Sequence, residues 1–416
     1  MRVYLDNSAT TRTSEEVAAA VCDSLTEYYG NPASVHEMGR DAERNLKQAR
    51  HRVAFVLGTM PRNIIFTGSG TEADNLALHA VSGNPAAIPG KKILISAVEH
   101  PAIREPAARL EALGAEVVRI PVLKTGDGGA QGGNENLSPG LIDMDFLGNA
   151  LNDKTALVSV MHVNNETGVI QPIGEICKLR ALGAGGERML LHSDAAQSFC
   201  KLPINTETGD LSRVDMITLS AHKIHGPKGV GALYAAKPQK LVPLIRGGGQ
   251  EFGARSGTQN MPGIVGFGMA AHMESADILL RAKQAAVLRQ RLLDGIMGHI
   301  GDVTINSPME ASPTGRPGFC SPYILSVGFL GTRGEVLVHD LERQGIFVST
   351  GAACSSLKKD GRGGNPVLAA FGFSREAIEG TLRFSFSRYN TAEEIDYVLE
   401  CLKPTVERFR KVGGFR

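Results

Sequence analysis

A lysine set among polar and glycine residues is the feature of this sequence with the clearest chemical meaning. Lys223 lies in Ser-Ala-His-Lys-Ile-His-Gly-Pro-Lys-Gly, residues 220–229, directly after the apolar run 214–219. This order predicts an amine on a tight turn at the end of a buried strand, where desolvation lowers a lysine pKa and favours Schiff-base chemistry. Ser220 and His222 flank the lysine and are suited to bind phosphate. Together these residues indicate pyridoxal 5′-phosphate (PLP), with a solvated loop lysine as the alternative.

Short apolar runs that alternate with helical patterns must position these residues. The runs predict strands over residues 63–67, 92–96, 116–120, 156–160, 189–193 and 214–219. Helices are expected from Thr71 and after Pro101. Strands that alternate with helices indicate an α/β fold with a mostly parallel sheet covered on both faces. Ligands in such sheets bind at the carboxyl ends of the strands.

Polar residues follow several of these predicted strands. Asp194 could supply the carboxylate that balances a pyridinium cation, or it could cap a helix. Gly70 and Thr71 begin a predicted helix, whose N–H groups and dipole could bind phosphate, although a plain cap at Thr71 has the same geometry. His100 could transfer protons or could be structural.

The segment 220–229 closely resembles the PLP-lysine segment of class V aminotransferase-fold enzymes, and within them the cysteine desulfurases of the NifS/IscS type. The resemblance extends over nearly the whole chain and rests on several separated motifs. It implies the PLP-dependent transferase fold type I, with a smaller α/β C-terminal domain. A glycine-rich stretch followed by long helical patterns predicts the boundary, with a large PLP-binding domain over 15–265 and a small domain formed by 1–14 and 266–416.

The resemblance implies cofactor-binding roles for residues of separate motifs. Asp194 corresponds to the aspartate that bonds the pyridine nitrogen, and Gln197 to the glutamine at the phenolic oxygen. His100 corresponds to the histidine that stacks on the PLP ring and helps to move protons. The residues that the resemblance places around the phosphate are Gly70, Thr71, Ser220, His222 and, from the neighbouring subunit, Thr258. A residue shared between subunits implies a homodimer.

Substrate recognition in this resemblance depends on an arginine. Arg383 lies in the strand-like run 381–385 and matches the residue that binds the substrate carboxylate, a task that suits a planar guanidinium. A structural salt bridge is the alternative for Arg383. Asn31 matches its helper, and Asn165 matches the asparagine near both cofactor and substrate.

Cys354 differs in its surroundings from the other five cysteines, which are scattered without CxxC spacing. That scatter argues against a structural zinc site or a disulfide framework. Cys354 lies in a small-residue segment that leads into a polar loop, and Lys358 and Lys359 follow it, which favours the thiolate. Alone it would be an inert thiol. The resemblance makes it the nucleophile that forms a persulfide.

The implied reaction is a PLP-dependent conversion of L-cysteine to L-alanine, with Lys223 removing the α-proton and sulfur held on Cys354. The implied sulfur acceptor is a protein, either an iron–sulfur cluster scaffold or a sulfurtransferase of tRNA thiolation or thiazole synthesis. Residues 355–359 resemble the latter enzymes more, and Ala352 stands where the family commonly has serine. The alternatives are a selenocysteine lyase, another class V enzyme, or a non-catalytic sulfur-transfer scaffold. A nicotinamide-binding protein would need a strand–GxGxxG–helix unit, which we do not find.

Composition and charge argue against several other classes of function. The chain has 416 residues, 42% of them hydrophobic and 21% charged, with a formal net charge of +1. We therefore expect neither direct nucleic-acid binding nor a membrane surface. Residues 1–7 lack the apolar core of a signal peptide, so a cytoplasmic location is expected. No metal site is expected, because His222 and His225 have no further candidate ligands. The glycine-rich segment 123–140 is predicted to be a surface loop.

Overall fold

The computed structural model describes residues 1–81, 85–125, 139–186, 189–209, 211–351 and 365–413. The α-helices within these ranges are α1 (Glu15–Thr26), α2 (Glu37–Leu57), α3 (Gly70–His79), α4 (Pro101–Ala112), α5 (Met144–Ala150), α6 (Ile173–Ala181), α7 (Met261–Ser275), α8 (Ile278–His299), α9 (Gly334–Arg343), α10 (Pro366–Ala370), α11 (Arg375–Glu379) and α12 (Ala392–Gly413). The strands are β1 (Val3–Tyr4), β2 (Ile64–Thr67), β3 (Lys92–Ser96), β4 (Glu116–Ile120), β5 (Thr155–Ser159), β6 (Leu190–Asp194), β7 (Met216–Ser220), β8 (Gly231–Ala235), β9 (Val303–Ile305), β10 (Ile324–Phe329), β11 (Ile346–Phe347) and β12 (Thr381–Ser385).

The large sheet has seven strands in the order β2-β8-β7-β6-β5-β3-β4. Neighbouring strands from β7 to β4 pair in parallel, whereas β8 pairs antiparallel with both β7 and β2. Two antiparallel pairings in succession return β2 to the direction of β7, so six of the seven strands run the same way. The predicted mostly parallel sheet is thus confirmed.

Both faces of this sheet are covered, as the continuous apolar runs predict. Side chains alternate across β3: Leu94 belongs to the hydrophobic cluster on one face, and Ile93 and Ile95 belong to the cluster on the other. Helices α1, α2 and α7 pack together on the first face, while α3 and α4 pack against each other in the second cluster.

A separate hydrophobic cluster surrounds a three-stranded antiparallel sheet in the order β12-β10-β9. Helices α8, α9 and α12 cover it, and β1 from the start of the chain pairs with β11 beside it. The final helix begins with the expected capping box, because the Thr391 hydroxyl accepts from Glu394 N and the Glu394 carboxylate accepts from Thr391 N. Ile395, Leu402 and Val406 on its apolar face are fully buried.

The domain boundaries stay a prediction, and the packing of α7 bears on them. Helix α7 begins before residue 265, yet its buried residues Ile264, Phe267 and Ala271 all belong to the cluster of the large sheet. In α8, by contrast, Leu292 and Ile296 belong to the hydrophobic cluster of the small sheet. Among the described helices, none is long and apolar enough to cross a membrane.

Candidate active site

Several of the predicted site residues lie at one edge of the seven-stranded sheet. Asp194 is the last residue of β6, and Ser220 is the last residue of β7. Helix α3 follows β2 and helix α4 follows β3, so the starts of both helices lie at the same edge. This is the edge where a parallel sheet exposes the N-termini of its helices and binds ligands.

Lys223 lies on a short 3₁₀ turn, Ala221–Lys223, directly after β7, as its sequence context predicts. Its ammonium donates to the carbonyl oxygens of Ser8 and Ala9, at 2.5 and 2.7 Å. The side chain is half-buried rather than freely solvated, so the loop-lysine alternative does not describe it. The N-terminal segment therefore forms one wall around the amine.

Gln197 approaches the same wall. Its Nε2 donates to the Ser8 carbonyl at 2.9 Å, so the Gln197 amide and the Lys223 amine meet at one oxygen. The Lys201 ammonium donates to Gln197 Oε1 at 3.3 Å from the opposite side. A carboxamide donor beside the lysine amine would suit PLP, whose phenolic oxygen is ortho to the aldehyde group that reacts with lysine.

Asp194 accepts a hydrogen bond from Ala196 N at 2.8 Å, across the turn that follows β6. No α-helix begins there in the described chain, so the carboxylate shapes a turn and does not cap a helix. Burial raises the pKa of Asp194, while the Ala196 N–H and the positive charge of Lys223 lower it. A cation bound at this carboxylate would offset the cost of its burial.

His100 is the N-cap of α4, because its Nδ1 accepts from Ala102 N at 3.1 Å. Burial, and then the positive charges of Lys223 and Arg104, lower the pKa of His100 to about 4. The imidazole is therefore neutral at physiological pH, and its proton is on Nε2 because Nδ1 is the acceptor. The cap role and a role beside PLP are compatible, since they use different ring nitrogens.

The start of α3 and the end of β7 lie side by side, where the phosphate cradle is predicted. A Cβ atom built on Gly70 would lie 3.5 Å from the Ser220 Cβ, which places the serine beside the helix N-terminus. The cap of α3 is Ser69, whose hydroxyl accepts from Glu72 N at 3.1 Å. Thr71 is therefore not the cap, and its exposed side chain is available for another contact.

His222 borders the same region. Its Nδ1 lies 3.2 Å from Thr10 Oγ1, and its backbone carbonyl accepts from Thr11 N. Burial lowers the pKa of His222 to about 4, assisted by the neighbouring charge of Lys223. A neutral imidazole held in this way has a ring nitrogen with which to donate to a phosphate oxygen.

Arg383 is almost fully buried and forms an ion pair with Asp6, with 2.8 Å between Nη2 and Oδ1. Its Nη1 donates to the Asn165 carbonyl at 2.8 Å, which brings these two predicted residues together. The alternative of a structural salt bridge is thus also present. Within the described part of the chain, Arg383 Nε has no hydrogen-bond partner.

Three predicted residues are not gathered by these contacts. The Asn31 side chain is exposed and accepts from Ala33 N within its own turn. Thr258 is exposed in the single chain, on a segment held to α3 by the ion pair between Arg255 and Glu72. Cys354 lies outside the described residues, so its assignment stays a prediction. The same holds for most of the glycine-rich segment 123–140.

Sequence reasoning missed two carboxyl groups buried beneath Asp194. Burial, and then the negative charge of Asp194, raise the pKa of Asp74 well above its usual range. Glu99 Oε1 accepts from Ser96 Oγ and Met161 N, both at 2.7 Å, while its Oε2 has no partner in the described chain. Burial raises the pKa of Glu99 to about 8. Both carboxyls adjoin apolar strands, where sequence alone indicates only core.

Exchange of Glu99 for glutamine is expected to remove one source of pH-dependent stability. Because burial raises the folded pKa from 4.5 to about 8, the folded state holds more protons than the unfolded state between these values. The wild type should lose about 1.4 kcal/mol of unfolding free energy per pH unit relative to Glu99→Gln across that window. Urea unfolding at several pH values measures this difference.

Glu116→Gln is the control for that experiment, because the Glu116 side chain is 55% exposed. Its unfolding free energy should change with pH in parallel with that of the wild type. If the unfolding free energies of the wild type and Glu99→Gln differ by the same amount at every pH value, Glu99 is not a buried carboxyl that retains its proton in the folded state.

Comparisons with known proteins agree with this geometry. Residues 3–398 match the family described as "Aminotransferase class-V". The chain therefore belongs to the class V aminotransferase family, and both the predicted family and the predicted fold class are confirmed.

Individual relatives are more specific. The chain is 41% identical to "Cysteine desulfurase 2" of Trichormus variabilis, over 99% of this chain and 95% of the relative. It is 36% identical to "Cysteine desulfurase IscS" of Dictyoglomus turgidum, over 100% of this chain and 97% of the relative. A solved structure titled "NIFS-LIKE PROTEIN" superposes with a TM-score of 0.83 at 35% identity and covers 100% of both chains.

Proposed function

We propose that this protein is a PLP-dependent cysteine desulfurase, which converts L-cysteine to L-alanine and holds the sulfur as a persulfide on Cys354. The observation that carries the proposal is the meeting of the Lys223 amine and the Gln197 amide at the Ser8 carbonyl, beside Asp194. Full-length relatives named cysteine desulfurase at 36–41% identity support it.

The residues at the sheet edge fit PLP along its whole length. Gly70, Thr71, Ser220 and His222 would hold the phosphate, with Thr258 of a second subunit. Asp194 would face the pyridine nitrogen, Gln197 the phenolic oxygen and His100 the ring face. Bound PLP supplies an electron-withdrawing ring that stabilises negative charge at the substrate α-carbon.

The chain's own residues would move the protons. The Lys223 amine would take the α-proton, since it lies beside the predicted ring position and Ser8 and Ala9 fix its direction. His100 is neutral, because burial and neighbouring positive charges lower its pKa to about 4, and it would present its Nε2 proton as a donor beside the reacting groups. Asp194 would stay ionised opposite the cationic ring nitrogen.

Arg383 would bind the carboxylate of L-cysteine, with Asn31 and Asn165 as polar neighbours. The ion pair with Asp6 holds the guanidinium plane in place, and Nε remains as a donor. A buried arginine arranged in advance in this way loses little entropy when the carboxylate binds.

Cys354 would act as a thiolate on the sulfur of L-cysteine. A sulfur–sulfur bond forms, the bond from that sulfur to Cβ breaks, and its electron pair stays on Cβ. Protonation of Cβ then gives alanine, so the reaction is balanced without an external oxidant. The persulfide sulfur would pass to an acceptor protein, either a cluster scaffold or a sulfurtransferase of tRNA thiolation or thiazole synthesis.

The proposal includes the oligomeric state and the cellular location of the enzyme. A homodimer would bring Thr258 of one subunit to the phosphate of the other, which is consistent with its exposure in the single chain. A cytoplasmic location is supported by the five described cysteines, all of which are free thiols.

The test is to incubate purified protein with L-cysteine and a reductant and to measure sulfide and alanine. We expect equal amounts of both from the wild type, and a loss of both to below about 1% in Cys354→Ala. Cys22→Ala is the matched control, because Cys22 is an exposed cysteine of α1, and it should keep wild-type rates.

Each competing function predicts a different result. If the protein converts another amino acid without forming alanine, and Cys354→Ala retains this activity, the protein is a different class V enzyme. Turnover confined to L-selenocysteine would identify a selenocysteine lyase. A wild-type protein without a PLP absorbance band would leave a non-catalytic sulfur-transfer scaffold.

A further inference from the structure

A buried cluster of charged residues lies behind Gln197, on the side away from the Ser8 carbonyl. Its members are Lys201, Glu274, Arg281 and Arg388, and they line a cavity of about 20 Å³ that also reaches Lys223. The cluster joins α7, α8 and the residues after β12. None of these four residues has a role in the proposed reaction so far.

Lys201 is the member of the cluster that contacts a predicted cofactor residue. Its side chain is buried, with Nζ 3.3 Å from Gln197 Oε1 and 5.9 Å from the centroid of the Tyr323 ring. A buried ammonium is costly, and it is retained where its hydrogen bonds and charges have a use. Here one of its N–H groups is directed at the carboxamide.

The charges around Lys201 come from several elements. Glu274 of α7 attracts it, but Glu274 is already paired with Arg281 at 2.8 Å and with Arg388 at 3.0 Å. Burial, and then repulsion by Lys223 and Arg383, lower the pKa of Lys201 to about 7. The cluster thus places an excess of positive charge behind the site.

An ammonium group has a directional effect on a carboxamide. Lysine in its charged form has three donors and no acceptor, whereas glutamine has an oxygen acceptor and an NH₂ donor. Charged Lys201 therefore requires Oε1 of Gln197 to face it, while the NH₂ group faces the site and the Ser8 carbonyl. Without Lys201, only the Ser8 carbonyl would oppose a rotation that presents the carboxamide oxygen to the cofactor.

We propose that Lys201 is a positioning residue, which orients the Gln197 carboxamide so that its N–H group faces the phenolic oxygen of PLP. The inference rests on the proposed PLP site and extends it to a residue that does not touch the cofactor. An N–H donor stabilises the phenolate form of PLP, and a nearby cation disfavours a proton on the adjacent Schiff-base nitrogen. Both effects favour the unprotonated cofactor.

The experiment is a pH titration of the visible PLP absorbance band in the holoenzyme, without substrate. Lys201→Met keeps the length of the side chain and removes its donors, and the midpoint should rise by about one pH unit. Gln197→Leu should raise the midpoint by a similar amount. Lys201→Met is also introduced into Gln197→Leu. If Lys201 acts through Gln197, the midpoint shift that Lys201→Met causes in this background should be less than half of the shift that it causes in the wild type.

Lys92→Met is the matched control, because Lys92 is also a buried lysine but lies on β3, paired with Glu116 at 3.2 Å. Its midpoint should equal that of the wild type. An unchanged midpoint in Lys201→Met overturns the proposal. The proposal is also overturned if Lys201→Met shifts the midpoint equally in the wild type and in Gln197→Leu. If Lys201→Met does not retain PLP, an unchanged midpoint in Gln197→Leu overturns it independently. A wild type without any PLP band instead contradicts the proposed function.

Discussion

Lys223→Ala is expected to lower the rate of alanine and sulfide formation at least about 10³-fold. The amine is the proton acceptor of the proposed reaction, and its position depends on the Ser8 and Ala9 carbonyls. Lys201, which lines the same cavity as Lys223, is not placed to substitute for it, because Gln197 holds it on the far side of the carboxamide. Initial rates with L-cysteine measure the effect.

A chemical readout separates loss of the amine from loss of the fold. Borohydride reduction fixes PLP covalently to the lysine that bears it, so a tryptic peptide that contains Lys223 should gain the cofactor mass in the wild type. Lys228→Ala is the matched control, because Lys228 is an exposed lysine of the same segment, and its rate should be unchanged with the label still on Lys223, in a peptide that is longer because one tryptic site is lost. Label on a different lysine, or wild-type turnover by Lys223→Ala, would refute the assignment.

The elements that carry the site could be predicted from the sequence almost to the residue. The strands 92–96 and 116–120 are observed with those bounds as β3 and β4, and the turn at Lys223 follows β7 as expected. These predictions succeed because β3 is a short apolar run buried on both faces, and β4, although exposed at Glu116 and Arg119, is rich in β-branched residues. Local patterns of this kind depend on neighbouring residues alone.

Contacts over long sequence distances could not be predicted in the same way. The wall beside Lys223 is made of backbone carbonyls from residues 8 and 9, and a backbone carbonyl leaves no mark in the side-chain pattern. The ion pair of Arg383 with Asp6 joins the two ends of the chain. The sequence indicated an arginine with a partner but not which partner.

Polar residues inside apolar runs were missed for a different reason. Ser69 rather than Thr71 caps α3, because the helix begins one residue earlier than the pattern indicates. Glu99 is next to His100 in the sequence and Lys201 is four residues after Gln197, and no sequence pattern indicates that either is buried. Both are buried titratable residues behind the predicted cofactor site, which is why the proposed orientation of Gln197 required the structure.

The segment that carries Thr258 depends on one buried ion pair, and breaking that pair should cause the largest loss of stability that we expect from a single substitution. Arg50 of α2 bonds both carboxylate oxygens of Glu251, at 2.6 and 2.8 Å, with both side chains at most 7% exposed. Glu251 also accepts from Phe66 N at 2.9 Å. Arg50→Met would leave this carboxylate buried without its cation, at a cost of about 3–5 kcal/mol.

Urea unfolding of the holoenzyme measures this cost, and a second substitution identifies its cause. Glu251→Leu added to Arg50→Met removes the stranded charge, so the double variant should be more stable than Arg50→Met alone. Arg375→Ala breaks an exposed pair with Glu379 and should cost less than about 0.5 kcal/mol. A double variant as unstable as the single one would mean that Arg50 acts through packing, on the rings of Phe66 and Phe252 that its guanidinium covers, and not through charge.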